Sequence, residues 1–130
     1  MIKRTYIGYQ HICGLTPKEM NSLVIIENEQ YIGTASFCKS RFAEYAEYGE
    51  IVSIYLLPKY IGKGYGSKLL STAIGELRKS YNDIFLWVLD DNKRAKKFYE
   101  KNSWICSGIY LEDNIGGKDL REVQYRYHIR

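Results

Sequence analysis

Hydrophobic positions in this 130-residue chain follow two periods, the alternation of β-strands and the three-to-four spacing of helices. Residues 23–27 and 31–39 are strand-like, and the polar tetrad Glu27-Asn28-Glu29-Gln30 between them reads as the turn of a hairpin. A third run, residues 50–57, is rich in β-branched and aromatic side chains and stops at Pro58. Beyond it Leu69, Leu70, Ala73, Ile74 and Leu77 recur at i, i+1, i+4, i+5 and i+8, which predicts an amphipathic helix ending near Ser80. Residues 84–89 suit a buried, parallel strand. Asp90-Asp91-Asn92 then offers N-caps for a second helix reaching Lys101, with Ala95, Phe98 and Tyr99 on one side. Residues 104–111 and 121–129 close the chain as strands, Val123, Tyr125, Tyr127 and Ile129 alternating with polar neighbours. Near the start, residues 2–8 read as a short strand. Thr16-Pro17-Lys18-Glu19 reads as a capping box that opens a short helix ending near Ser22.

This order predicts a mixed α/β (α+β) fold, a partly antiparallel central sheet flanked by helices. No internal repeat or Pro/Gly/Ser-rich linker interrupts it, so residues 1–130 are expected to form a single domain. No apolar run approaches the roughly 20 residues that a bilayer span needs. Thr5, Gln10 and His11 interrupt any leader behind the basic start, so a cytoplasmic protein without a membrane partner is expected. Cys13, Cys38 and Cys106 are widely separated and are expected to be reduced, and His11 and His128 stand alone, so no metal is expected. Nineteen Lys and Arg against fifteen Asp and Glu leave a dispersed charge of +4, which suits a small anionic ligand better than a nucleic acid. The thirteen tyrosines fall mostly in strand-like runs, where sheet packing accounts for them.

The chemistry concentrates at Gly62-Lys63-Gly64-Tyr65-Gly66-Ser67, where a strand ends and an amphipathic helix begins. Such a turn puts unsatisfied backbone N–H groups at the positive end of a helix dipole, and its glycines let phosphate oxygens approach the main chain. Neither a P-loop nor a dinucleotide fingerprint fits: no Gly-Lys pair is followed by Ser or Thr, and Ser67 stands where the third glycine of the fingerprint belongs. A tight turn serving only strand-to-helix packing explains a bare glycine cluster about as well.

Context favours a ligand. Residues 45–70, through Glu50-Ile51-Val52-Ser53-Ile54-Tyr55-Leu56-Leu57-Pro58 into the glycine turn, resemble the central acetyl-CoA motif of the GNAT superfamily of N-acetyltransferases. Residues 86–104, with Asn92 ahead of Ala95 and Tyr99, resemble that family's next strand and helix. The resemblance implies an acyl-CoA N-acyltransferase fold and acetyl transfer from acetyl-CoA to a primary amine of a small molecule or protein by direct attack. It also implies that Ile54, Tyr55 and Leu56 border the pantetheine arm through their main chain, as an added strand would. Residues Ile61, Gly62, Lys63, Gly64, Tyr65, Gly66 and Ser67 would surround the pyrophosphate. Asn92 would bond the pantetheine arm, with helix capping as its other role, and Tyr99 would protonate the departing thiolate. Glu50 stands where some members carry a catalytic base, Glu47 and Glu44 being weaker alternatives, and a solvent-facing strand-end carboxylate is the other reading of Glu50. Lys96, with Arg94 and Lys97, would lie near the phosphates, although an exposed basic helix face explains them equally well.

Two departures qualify the match. Ile61 occupies a position where the family pattern has Gln or Arg. Only 22 residues precede Leu23, where most members have a full strand and two helices, so the N-terminal region reads as shortened. The wall of the acceptor site is then either reduced or borrowed from a second subunit in a homodimer. These departures leave a non-catalytic acyl-CoA-binding or interaction domain as the alternative. Residues 40–49, with Glu44 and Glu47, are expected to attract a cationic acceptor.

Overall fold

A computed structural model describes residues 2–5 and 20–129. In chain order the elements are β1 (Ile2–Thr5), β2 (Asn21–Glu27), β3 (Gln30–Lys39), β4 (Gly49–Leu56), α1 (Tyr65–Leu77), β5 (Asp83–Leu89), α2 (Lys93–Lys101), β6 (Ile105–Ile115) and β7 (Lys118–His128). The strands form one seven-stranded sheet in the order β1-β2-β3-β4-β5-β7-β6. Its neighbours are antiparallel except β4 and β5, which run parallel across the α1 crossover.

Local chemistry explains the connections. Asn28 and Glu29 hold φ of 48° and 63°, the left-handed pair of a two-residue turn whose twist matches the strands it joins. Pro58 cannot continue the β4 ladder, and a single 3-10 turn, Pro58–Tyr60, leads into the glycine turn. Asn92 accepts a hydrogen bond from the Ala95 N–H at 3.0 Å and so caps α2.

Leu69, Leu70, Ala73 and Leu77 of α1 are buried against Leu23, Ile25, Ala35, Phe37, Ile51, Ile84 and Leu86 on one face of the sheet. Each large apolar side chain buried there contributes about 1.5–3 kcal/mol. On the opposite face, the β3–β4 connection lays Phe42, Tyr45 and Tyr48 on Phe85, with ring centroids 6.0, 5.1 and 5.9 Å away.

Two sequence expectations change. The helix predicted to end near Ser22 does not reach it: Asn21 and Ser22 belong to β2, where the Ser22 and Ser36 hydroxyls share a buried 3.2 Å hydrogen bond across the ladder. The capping box at Thr16 and residues 6–8 of the predicted first strand lie outside the described residues. The closing hairpin is longer than predicted, because Glu112, Asp113 and Asn114 pair with Arg121, Leu120 and Asp119. That stretch is exposed on both faces and therefore carries no alternation to reveal it. β6 is an edge strand and leaves Ile105, Ile109, Tyr110 and Ile115 exposed.

Gly33 on β3 lets the sheet close tightly: a Cβ there would sit 2.5 Å from Leu56 Cδ2 and 2.8 Å from the Tyr55 carbonyl oxygen. Gly33→Ala is expected to lower unfolding free energy by about 1–3 kcal/mol in urea titrations. Gly75, inside α1, has open space around its missing Cβ, and Gly75→Ala is expected to raise stability by about 0.5–1 kcal/mol.

Candidate active site

β4 and β5 pair only at Gly49–Ile84 and Glu50–Phe85 and then part. β4 stays bonded to β3 as far as Leu56, and β5 stays bonded to β7 as far as Leu89, so the sheet opens between them. The β3–β4 register slips beside the fork: Phe37 faces Ile51 and Ser36 faces Ser53, which leaves Val52 without a partner. Such a bulge bends its strand and turns it away from its neighbour. Alternate residues of β4 beyond it direct N–H and C=O groups away from β3, into the opening.

A cleft of about 580 Å³ occupies the fork and continues over the glycine turn. Ile54, Tyr55 and Leu56 form one wall. Pro58, Ile61, Gly62, Gly64, Gly66 and Ser67 form the floor, and α2 supplies the other wall. Gly64 is the N-cap of α1 with φ of 91° and offers no side-chain cap. The first N–H groups of this 13-residue helix therefore have no intrahelical acceptor.

From α2 the cleft receives Arg94, Lys97 and Lys101, with Asn92 at the helix start. The three cations follow i, i+3, i+7 spacing, one helix face, and no carboxylate lies among the described lining residues. Phosphate groups suit this surface. Deeper in the cleft, Tyr99 packs edge-on to Trp104 at 5.9 Å and lies 6.3 Å from the Tyr125 ring. Burial pushes its phenol up from 10.0 to about 12, so it keeps its proton across the working range of most enzymes. Because the folded value is the higher one, the associated stability is present below pH 10 and is lost as pH rises through about 12.

Twelve of the site candidates named from the sequence line this cleft: Ile54, Tyr55, Leu56, Ile61, Gly62, Gly64, Gly66, Ser67, Asn92, Arg94, Lys97 and Tyr99. The others do not. The Tyr65 hydroxyl donates to Glu27 Oε2 at 2.7 Å, tying α1 to the β2–β3 hairpin. Lys63 Nζ lies 6.0 Å from the Tyr60 ring centroid. Lys96 pairs with Asp90 at 2.6 Å, because its place on α2 faces away from the stripe of Arg94, Lys97 and Lys101. That stripe was legible in the helical spacing, which also picks out Lys101.

Glu50 needs the largest revision. It is fully buried rather than solvent-facing, and Arg41 donates to its carboxylate from the backbone N–H at 3.0 Å, from Nε at 3.2 Å and from Nη2 at 2.7 Å. Both oxygens are thereby engaged, away from the cleft lining. Glu44 and Glu47 are exposed on the β3–β4 connection and do not line the cleft either.

Comparison with known proteins accords with this geometry. The model of the acetyltransferase (GNAT) family matches residues 4–104. The chain belongs to the GNAT family. An uncharacterized N-acetyltransferase of Archaeoglobus fulgidus is 38% identical over 52 residues, which cover 39% of this GNAT chain; the match spans 35% of that relative's length. The fold of an IAA acetyltransferase from Bacillus cereus superposes with a TM-score of 0.77 over 98% of both chains at 13% identity. A Salmonella typhimurium structure described as an acetyltransferase with its cofactor acetyl-CoA gives 0.72 at 24% identity, covering 85% of this chain and 65% of that one. The mixed sheet flanked by helices is thus the GNAT acyl-CoA N-acyltransferase fold. Among the described residues no helix is long and apolar enough to cross a membrane.

The buried Glu50–Arg41 pair generates a prediction about folding. Arg41→Met strands a buried carboxylate and is expected to cost about 3–5 kcal/mol in denaturant unfolding, with Glu50→Gln losing less because its amide retains a hydrogen-bonding oxygen. Equal, negligible losses in both variants would show that the pair does not anchor the β3–β4 connection.

Proposed function

We propose that this GNAT chain, over residues 1–130, is an N-acetyltransferase that binds acetyl-CoA in the β4–β5 cleft and passes the acetyl group to a primary amine by direct attack. The observation that carries this reading is the fork itself: an opening lined by unpaired β4 backbone leads from an uncapped helix N-terminus to a half-buried, protonated tyrosine. The pantetheine amides complete the β4 ladder as an added strand. The pyrophosphate sits on the first N–H groups of α1, and Arg94, Lys97 and Lys101 offset its charge. Ile61 adds no polar group at the turn, so the grip there is mainly main-chain. Asn92 borders the arm while capping α2.

The acceptor attacks as a free base, and a backbone N–H of β4 facing the fork stabilises the oxyanion of the tetrahedral intermediate. As the carbon–sulfur bond breaks, the Tyr99 phenol donates its proton to the departing thiolate. Glu50 acts as a positioning residue in this scheme. Its carboxylate holds Arg41 and the β3–β4 connection, and the proton of the acceptor ammonium passes to solvent.

Calorimetric titration with acetyl-CoA tests the reading directly. Micromolar binding is expected, and Gly64→Glu should abolish it by filling the turn with a β-carbon at positive φ and a negative charge. Absence of binding to a folded protein would remove the proposal, and binding without acetylation of any amine would favour the acyl-CoA-binding domain. Tyr99→Phe should lower kcat by about 10- to 100-fold while changing acetyl-CoA affinity little. Because Tyr99 stays protonated to about pH 12, kcat/KM should rise as the acceptor amine loses its proton and then stay level to about pH 11. A descending limb near pH 8 or 9 that vanishes in Tyr99→Phe would contradict the assignment.

A further inference from the structure

The face of the sheet away from α1 carries polar groups that the scheme above leaves unused. Gln124 on β7 is fully buried and stands directly opposite Trp87 on β5. Its Oε1 accepts a 2.6 Å hydrogen bond from Arg126 Nε, which fixes the amide so that Nε2 is the free end. Gln124 Nε2 and Trp87 Nε1 are both buried, and neither has an acceptor among the described residues. An orphaned buried donor is costly, and two side by side on register partners are unusual.

Their position is informative. Trp87 lies two residues beyond Phe85, the last β5 residue paired to β4, so the pair sits beside the fork on its far side. The β6 ladder steps from Cys106–Tyr125 to Tyr110–Val123, which sets residues 107–109 against Gln124 alone. Phe42 covers the other side, its ring 5.6 Å from that of Trp87. The missing partner is an acceptor atom; the rings of Phe42, Tyr45 and Tyr48 and the Arg126 guanidinium lie on this face, together with Glu50, whose carboxylate is engaged by Arg41, and Glu122. Arg126 lies over Tyr45 and Tyr48, each centroid 5.4 Å away.

We infer that Gln124 Nε2–H and Trp87 Nε1–H receive the carbonyl oxygen that flanks the reacting amine of the acceptor. The acceptor class is then an α-amino carbonyl compound, a free amino acid or the amino terminus of a peptide, rather than a polyamine. This inference rests on the acetyltransferase reading and names its acceptor. The oxygen enters by displacing the Phe42 ring.

The chain has two tryptophans, and the second indole supplies an internal control. Trp104 Nε1 also lacks a partner among the described residues but packs on the helix side, 5.3 Å from Tyr127. With the protein saturated in CoA, alaninamide, alanine, alanyl-alaninamide and ethylamine are titrated while the two indole N–H resonances are followed by NMR. The carbonyl compounds should shift the Trp87 signal downfield, ethylamine should not, and Trp104 should stay in place. Preference for alanine marks a free amino acid, and preference for alanyl-alaninamide a peptide terminus. In acetylation assays Gln124→Glu keeps the bond to Arg126 but removes the donor, and Trp87→Phe keeps the ring. Each should lower the kcat/KM ratio of alaninamide to ethylamine by about tenfold relative to the unmodified protein. An unmoved Trp87 signal, or an equal response to ethylamine, overturns the inference. Failure to bind acetyl-CoA in the same samples overturns the acetyltransferase reading instead.

Discussion

One parting of strands governs this molecule. β4 and β5 share two residue pairs and then separate, and every other feature of the cleft depends on the separation holding. Two neighbouring parallel strands would ordinarily zip along their full length, since each unpaired buried amide is expensive. Here the bulge at Val52 bends β4 while full pairing to β7 keeps β5 straight, so closure of one gap would break two ladders. α1 holds the other side of the opening through its packing on β2, β3 and β4.

The closed end of the fork is stiffened by polar and aromatic groups on the face away from the helices. Glu50 and Phe85 are the last residue pair before the strands diverge. Glu50 is locked by Arg41, and Phe85 lies under the rings of Phe42, Tyr45 and Tyr48. A buried ion pair contributes little net stability, but it specifies one arrangement because breaking it strands a charge. The β3–β4 connection is thereby fixed against the point at which the cleft begins.

Much of this was legible in the residues. The hairpin at Asn28, the α1 stripe of Leu69, Leu70, Ala73 and Leu77, and the Asn92 cap each follow from local rules, and the structure has each of them. Glu50 could not be read correctly, because a strand-end carboxylate looks the same whether it meets solvent or an arginine nine positions earlier in the chain. Lys96 shows the opposite failure. Its neighbour two positions back points into the cleft, and helical spacing alone separates the two. The β6–β7 hairpin was underestimated because an exposed ribbon has no face to mark with hydrophobic residues.

A cleft formed largely by main chain places weak demands on sequence. Ile54, Tyr55 and Leu56 border it through peptide groups that any residue type provides, and the turn at Gly64 asks chiefly for small size and positive φ. Selection acting on such a site sees backbone shape before side-chain identity. The architecture alone is what this chain shares with a structure that superposes over 98% of its length at 13% identity.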